Sequence, residues 1–161
     1  MVPRKWMNIY GAKTETKMNN PPKIIVDADA IIAQTSPYDK HHQTAATISE
    51  SLAKVNAQVI YPATAIAESN AYMQRVLNST ASAYGTAVVF ADLNVQVAEI
   101  NQNTLRNALK YFSPETSKKN TLFDCIIAAV AEEYKADAIF SFDKFYERKG
   151  FKLVTELELP K

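Results

Sequence analysis

Ile24-Ile25-Val26-Asp27-Ala28-Asp29-Ala30-Ile31-Ile32 decides how the chain is read. Three apolar residues run into two acids, and apolar residues resume at once. A short continuous apolar run suits a strand buried on both faces of a parallel sheet. The acids then fall where the strand leaves the sheet, the edge at which open α/β sheets bind their ligands. Carboxylates there either cap the next helix or hold a cation.

Outward from this stretch, strands and helices alternate. The pattern predicts strands at Lys23–Val26, 59–61, 87–90 and 138–140, with a fifth, edge strand at 151–154. Helices are predicted over 28–34, 43–55, 65–77 (capped by Thr64), 93–109, 121–135 and 143–149, with a polar stretch at 78–86 read as a loop with a short helix. Alternation of this kind predicts βαβ units, right-handed crossovers and a mostly parallel sheet covered on both faces. Residues 1–22 read as an appended N-terminal extension, because Asn19-Asn20-Pro21-Pro22 breaks the chain before the first strand. Residues 23–161 read as one domain.

Composition removes several function classes. The 161 residues are 47% hydrophobic and 22% charged, an ordinary globular balance. The three glycines, Gly11, Gly85 and Gly150, build no phosphate-cradling loop. Cys125 is the only cysteine, so neither a disulfide nor a cysteine-based zinc site is expected. No apolar run approaches the roughly 18 residues of a membrane span, and no apolar signal core opens the chain. These features lead us to expect a cytoplasmic protein with no membrane partner. Net charge is +1. Residues 1–18 hold four basic residues against one acid, and the remainder is mildly acidic, so bulk charge alone does not point to nucleic acid.

Four acids follow strand ends or open the helices after them: Asp27, Glu68, Asp124 and Asp143. A parallel sheet gathers Asp27, Glu68 and Asp143 at one edge. Asp124 joins them if its helix points its N-terminus the same way. Clustered carboxylates raise one another's pKa, and a divalent cation removes that penalty. Oxygen-only ligation suits Mg²⁺ or Mn²⁺, ions that acidify a bound water and stabilise the oxygens of a displacement at phosphorus. Each acid also has a local reading. Asp29 is placed to cap the helix after the first strand. Thr121-Leu122-Phe123-Asp124 fits a capping box. Asp143 is placed to cap the helix behind it, and Glu68 suits a helix N-terminus. Capping alone does not require the four to converge.

Four blocks in order resemble the PIN-domain ribonucleases, particularly the small VapC-type toxins of toxin–antitoxin pairs. They are Ile25–Ile32 with its first acid, Pro62-Ala-Thr-Ala-Ile-Ala-Glu68, Leu122-Phe-Asp124-Cys-Ile-Ile-Ala-Ala-Val-Ala131, and Ala138-Ile-Phe-Ser-Phe-Asp143-Lys-Phe-Tyr-Glu-Arg-Lys-Gly150. The resemblance implies a three-layer α/β/α sandwich with a central sheet of four to five strands. It implies Mg²⁺- or Mn²⁺-dependent hydrolysis of RNA, with Asp27, Glu68, Asp124 and Asp143 as the metal-binding, catalytic acids and Asp29 and Ser141 as auxiliaries. A small antitoxin partner and a homodimer are implied with it. The alternative is a PIN-like scaffold or binding module without nuclease activity, against which stands the presence of all four acids. Asp29 departs from the family, which more often carries Ser, Thr or Asn there; the N-terminal extension is a second departure. Lys118, Lys119, Lys144, Arg148, Lys149 and Lys152 lie near the acids in sequence and could steer an RNA backbone. His41 and His42 read as surface residues at the start of a polar helix.

Overall fold

A computed structural model describes residues 20–160. The part of the predicted extension formed by residues 1–19 lies outside the described residues. The described chain folds in the order β1 (Lys23–Val26), α1 (Ala28–Thr35), α2 (His42–Lys54), β2 (Gln58–Pro62), α3 (Ala63–Arg75), α4 (Thr80–Phe90), β3 (Gln96–Ala98), α5 (Gln102–Ala108), α6 (Leu122–Glu133), β4 (Ala138–Phe140) and α7 (Phe145–Arg148), closing on a 3-10 turn at Val154–Glu156.

The four strands are all parallel and lie in the order β3-β2-β1-β4. The chain steps outward from β1 to β2 to β3, with α1 to α4 in the two crossovers, and then returns across the sheet through α5 and α6 to β4. Right-handed crossovers put the outward helices on one face and the returning pair on the other, which gives the expected α/β/α layering. β1 and β4 sit where both faces are covered, and Ile24, Ile25, Val26, Ala138, Ile139 and Phe140 are all buried. α6 is the most buried helix. Cys125 through Ala131 are all buried, and the small Ala128, Ala129 and Ala131 let this helix pack closely on β1.

Four expectations need correction. Residues 87–90 are not a strand but the last turn of α4. Their Val-Val pair suggested β structure, yet Ser79 caps the segment by accepting from the Ser82 amide, and the buried positions Ala83, Thr86 and Phe90 fall at helical spacing. The Phe90 ring then packs against Tyr61 of β2 at 4.8 Å between centroids. The third strand is instead Gln96–Ala98, which splits the helix predicted over 93–109 and leaves only α5. Three residues with a polar start carry too little periodicity to announce a strand.

The fifth strand is reduced to a single bridge between Ile139 and Leu153. Finally, Pro62 rather than Thr64 occupies the N-cap of α3, and the Thr64 hydroxyl is buried in the first turn without a hydrogen bond among the described residues. Gly150 has φ +88°, a left-handed conformation suited to glycine, and it ends α7.

Candidate metal centre at the carboxyl edge of the sheet

β1 and β4 are neighbours in register, Val26 opposite Phe140. The next residue on each strand, Asp27 and Ser141, therefore leave the sheet side by side. Asp27 is 5% exposed. Its extended backbone makes it the N-cap of α1, and Oδ1 accepts the Ala28 amide at 2.7 Å. Oδ2 accepts the Ser141 hydroxyl at 3.0 Å and the Tyr146 hydroxyl at 2.8 Å.

Asp29 was the expected cap, and the structure gives that role to Asp27. The physical reason is backbone position: an N-cap must still be extended, and Asp29 is already inside the first helical turn. Its Oδ2 instead accepts the Phe142 amide at 2.8 Å and the Ser141 hydroxyl at 3.0 Å, which ties the loop after β4 to α1. Its Oδ1 is buried with no partner among the described residues.

The other acids come from three further elements. Glu68 is half-buried in α3 and makes no hydrogen bond among the described residues. Asp124 accepts the Thr121 amide in a complete capping box at the start of α6. Asp143 accepts the Phe145 amide at 2.8 Å through Oδ1 and the side-chain amide of Asn120 at 3.1 Å through Oδ2. The packing of α3 against α6 brings Glu68 and Asp124 within electrostatic reach of each other and of Asp27.

The charge balance at this edge is one-sided. Lys110 pairs with Glu132, and among the described residues no Lys or Arg is ion-paired to any of these five acids. Burial, and next the Asp29 charge, push Asp27 up to about 8. Burial lifts Asp29 to about 6, against hydrogen bonds from Phe142 and Ser141 that hold it down. Burial, followed by the charges of Asp27 and Asp124, lifts Glu68 to about 7. Burial raises Asp124 as well, opposed by its bond to the Thr121 amide.

The hydrogen bonds agree with these directions. A serine hydroxyl has one proton, yet Ser141 lies 3.0 Å from a carboxylate oxygen of both Asp27 and Asp29 while its oxygen accepts the Asp143 amide at 3.1 Å. The single hydroxyl proton is therefore shared between the Asp27 and Asp29 carboxylates, a shortage of donors that goes with the upward direction of both. Ser141→Ala should therefore lower stability by about 1–3 kcal/mol in denaturant unfolding, the cost of leaving buried polar partners unmatched. An unchanged midpoint would deny Ser141 this linking role.

Among the described residues no three His, Cys, Asp or Glu side chains stand close enough together in this structure to hold a metal ion. The donors nonetheless fit a hard divalent cation. They are all oxygens, they repel one another, and Asp29 Oδ1 is an orphaned buried acceptor. Tyr146 and Asn120 carry no role that the sequence could assign, because their partners are 119 and 23 residues away. His41 and His42 are half-buried rather than simply surface residues. His42 Nδ1 contacts the Ala33 carbonyl oxygen at 2.6 Å, and the His41 ring stacks on Phe142. Lys118, Lys119, Lys144, Arg148, Lys149 and Lys152 are all exposed.

Comparison with known proteins adds two findings. A family model described as PIN domain matches residues 24–152. Among solved structures, the chain is similar to VapC20 of Mycobacterium tuberculosis, described as a sarcin-ricin loop cleaving toxin, with a TM-score of 0.72 and 19% identity over 85% of this chain and 99% of that one. At this identity the likeness is one of fold. No curated protein matches the sequence at a significant level.

Proposed function

The chain belongs to the PIN-domain family, and from that premise we propose that it is a metal-dependent endoribonuclease. In this reading Asp27, Glu68, Asp124 and Asp143 hold Mg²⁺ or Mn²⁺, with Asp29 and Ser141 in support. The observation that carries it is the gathering of five carboxylates at one sheet edge, with no cationic side chain paired to any of them among the described residues. A divalent ion bound there supplies the missing positive charge and a water of lowered pKa.

The chain's own residues have separable tasks. Ser141 and Tyr146 hold the Asp27 carboxylate, and Asn120 and the Phe145 amide hold Asp143. Glu68 is the acid least restrained by hydrogen bonds, and burial raises its pKa to about 7. It is therefore the group best placed to take or release a proton near neutral pH. The exposed lysines and Arg148 supply phosphate contacts that do not read sequence. Residues 23–161 form the catalytic domain, and residues 1–22 are an appendage to it. The resemblance of its four sequence blocks to VapC-type toxins extends the proposal to a cytoplasmic, homodimeric toxin restrained by a small antitoxin that covers the acidic edge.

The test is incubation of the purified protein with mixed RNAs in Mn²⁺ or Mg²⁺, beside a chelator control and Asp124→Asn. Cleavage should require the ion and fall about 10²-fold or more in the variant, the loss expected when a ligand's contribution to metal affinity is removed. Equal cutting by both proteins would reject the site. Absence of cutting on every RNA would favour a binding module. A small open reading frame for a DNA-binding protein directly upstream would support the toxin reading, and an isolated gene would count against it.

A further inference from the structure

Three rings run in a column from the core to the rim of the acidic edge. Phe140, the last residue of β4, is fully buried. The Phe142 ring meets it edge-on at 6.0 Å between centroids. The His41 ring lies flat on Phe142, 4.1 Å between centroids and 3° from parallel. Phe142 is half-buried against the core and its amide donates to Asp29, so the column stands directly beside the acids. His41 is the outermost of the three rings. One of its faces is covered by Phe142, and the residue stays partly exposed.

The segment that carries His41 is fixed rather than loose. The Asp39 amide donates to the Ser36 carbonyl at 3.1 Å, the His41 amide to Asp39 Oδ1 at 2.7 Å, and the His42 amide to the Asp39 carbonyl at 3.0 Å. His42 Nδ1 adds its contact with the Ala33 carbonyl oxygen. The turn therefore has its own restraints, and the stack on Phe142 is not needed to order it. Tyr38, 97% exposed, offers a second ring on the same turn, and Lys40 is exposed beside it.

We infer that the face of His41 turned away from Phe142 is a stacking subsite for a nucleobase of single-stranded RNA, beside the acidic edge where the nuclease reading puts the scissile phosphate. The inference rests on the nuclease reading and deepens it. Flat rings beside a phosphate site select an unstacked base, because every base has a π-face and a duplex keeps its faces covered. Phe142 sets the plane of the platform, and the tie from its amide to Asp29 fixes that plane relative to the carboxylates. The subsite thus favours single strands, loops and ends over duplex, and it works without reading hydrogen bonds.

The test is fluorescence anisotropy with a labelled single-stranded RNA that the wild type cuts, in Mg²⁺ and an Asp27→Asn background that stops cleavage. Adding His41→Ala should weaken binding about 5- to 150-fold, the range expected for one stacked base. Adding His41→Phe should retain binding. An abasic nucleotide at one position should reproduce the loss with His41 and add nothing with His41→Ala. Thermal melts identify any variant that has lost its fold, and His41→Phe keeps the ring in place.

Equal binding by the parent and His41→Ala would overturn the subsite while leaving the nuclease intact. Equal losses in His41→Ala and His41→Phe would also overturn it, in favour of a polar contact. If the wild type cuts no RNA and the parent binds none, the nuclease reading falls and the subsite with it.

Discussion

Asp27→Asn is expected to abolish RNA cleavage and, at alkaline pH, to make the protein more heat-stable than the wild type. The first effect follows from loss of the most deeply buried acid of the centre. The second follows from its folded-state pKa of about 8, against an ordinary value of 3.8. The folded protein binds a proton at Asp27 that the unfolded chain has lost, so wild-type stability falls as pH rises from about 4 to about 8 and is level beyond. Each unit of pKa difference corresponds to about 1.4 kcal/mol. Each kcal/mol moves the melting temperature of a chain this size by about 2–4 °C.

Asparagine has nearly the shape of a protonated aspartate. It still accepts from Ala28 and can donate toward Ser141, although the Tyr146 hydroxyl must then give up the acceptor it now uses. The variant should therefore differ least from wild type near pH 4 and gain about 5 °C or more by pH 9. Melts across that range check it. A melting-temperature difference that does not grow with pH would show that Asp27 carries no buried-charge penalty.

The second large effect is stabilisation by the ion itself. Mn²⁺ or Mg²⁺ at about 100 times its dissociation constant should add about 2.7 kcal/mol to stability. The gain at a fixed ion concentration should be larger at pH 8 than at pH 6. Asp27 and Glu68, raised to about 8 and about 7, hold protons at the lower pH, and ligation must displace them. Calorimetry in buffers of different ionisation enthalpy should accordingly register proton release on binding near pH 6.5, and less of it in Asp27→Asn. A melting temperature indifferent to either ion at both pH values would reject a metal centre here.

Much of this was legible in the chain. The apolar runs of β1 and β4 are strong because both strands are buried on both faces, and the capping box at Thr121 announced the start of α6. What failed was short or tertiary. Val88-Val89 carries β propensity, yet the spacing of Ala83, Thr86 and Phe90 and the contact with Tyr61 settle that segment as helix. Asp29 stands two residues past the position that caps α1. Which of two acids caps depends on the residue at which the backbone leaves β geometry, a matter of two positions that pattern alone does not resolve. Tyr146 and Asn120 lay beyond local reading altogether, since the fold supplies their partners.

In the proposed metal centre, Asp124 does two things with one carboxylate. Its Oδ2 closes the capping box with the Thr121 amide, and the same group faces the other acids. When it turns toward a ligand, the first turn of α6 gives up a bond of the kind whose loss costs about 1 kcal/mol. That amount subtracts from the affinity of whatever binds. The arrangement acts as a spring: α6 draws the carboxylate back once the ligand leaves, which favours an ion that exchanges over one held permanently. The most buried helix of the fold thus sets how firmly its own N-terminus can grip.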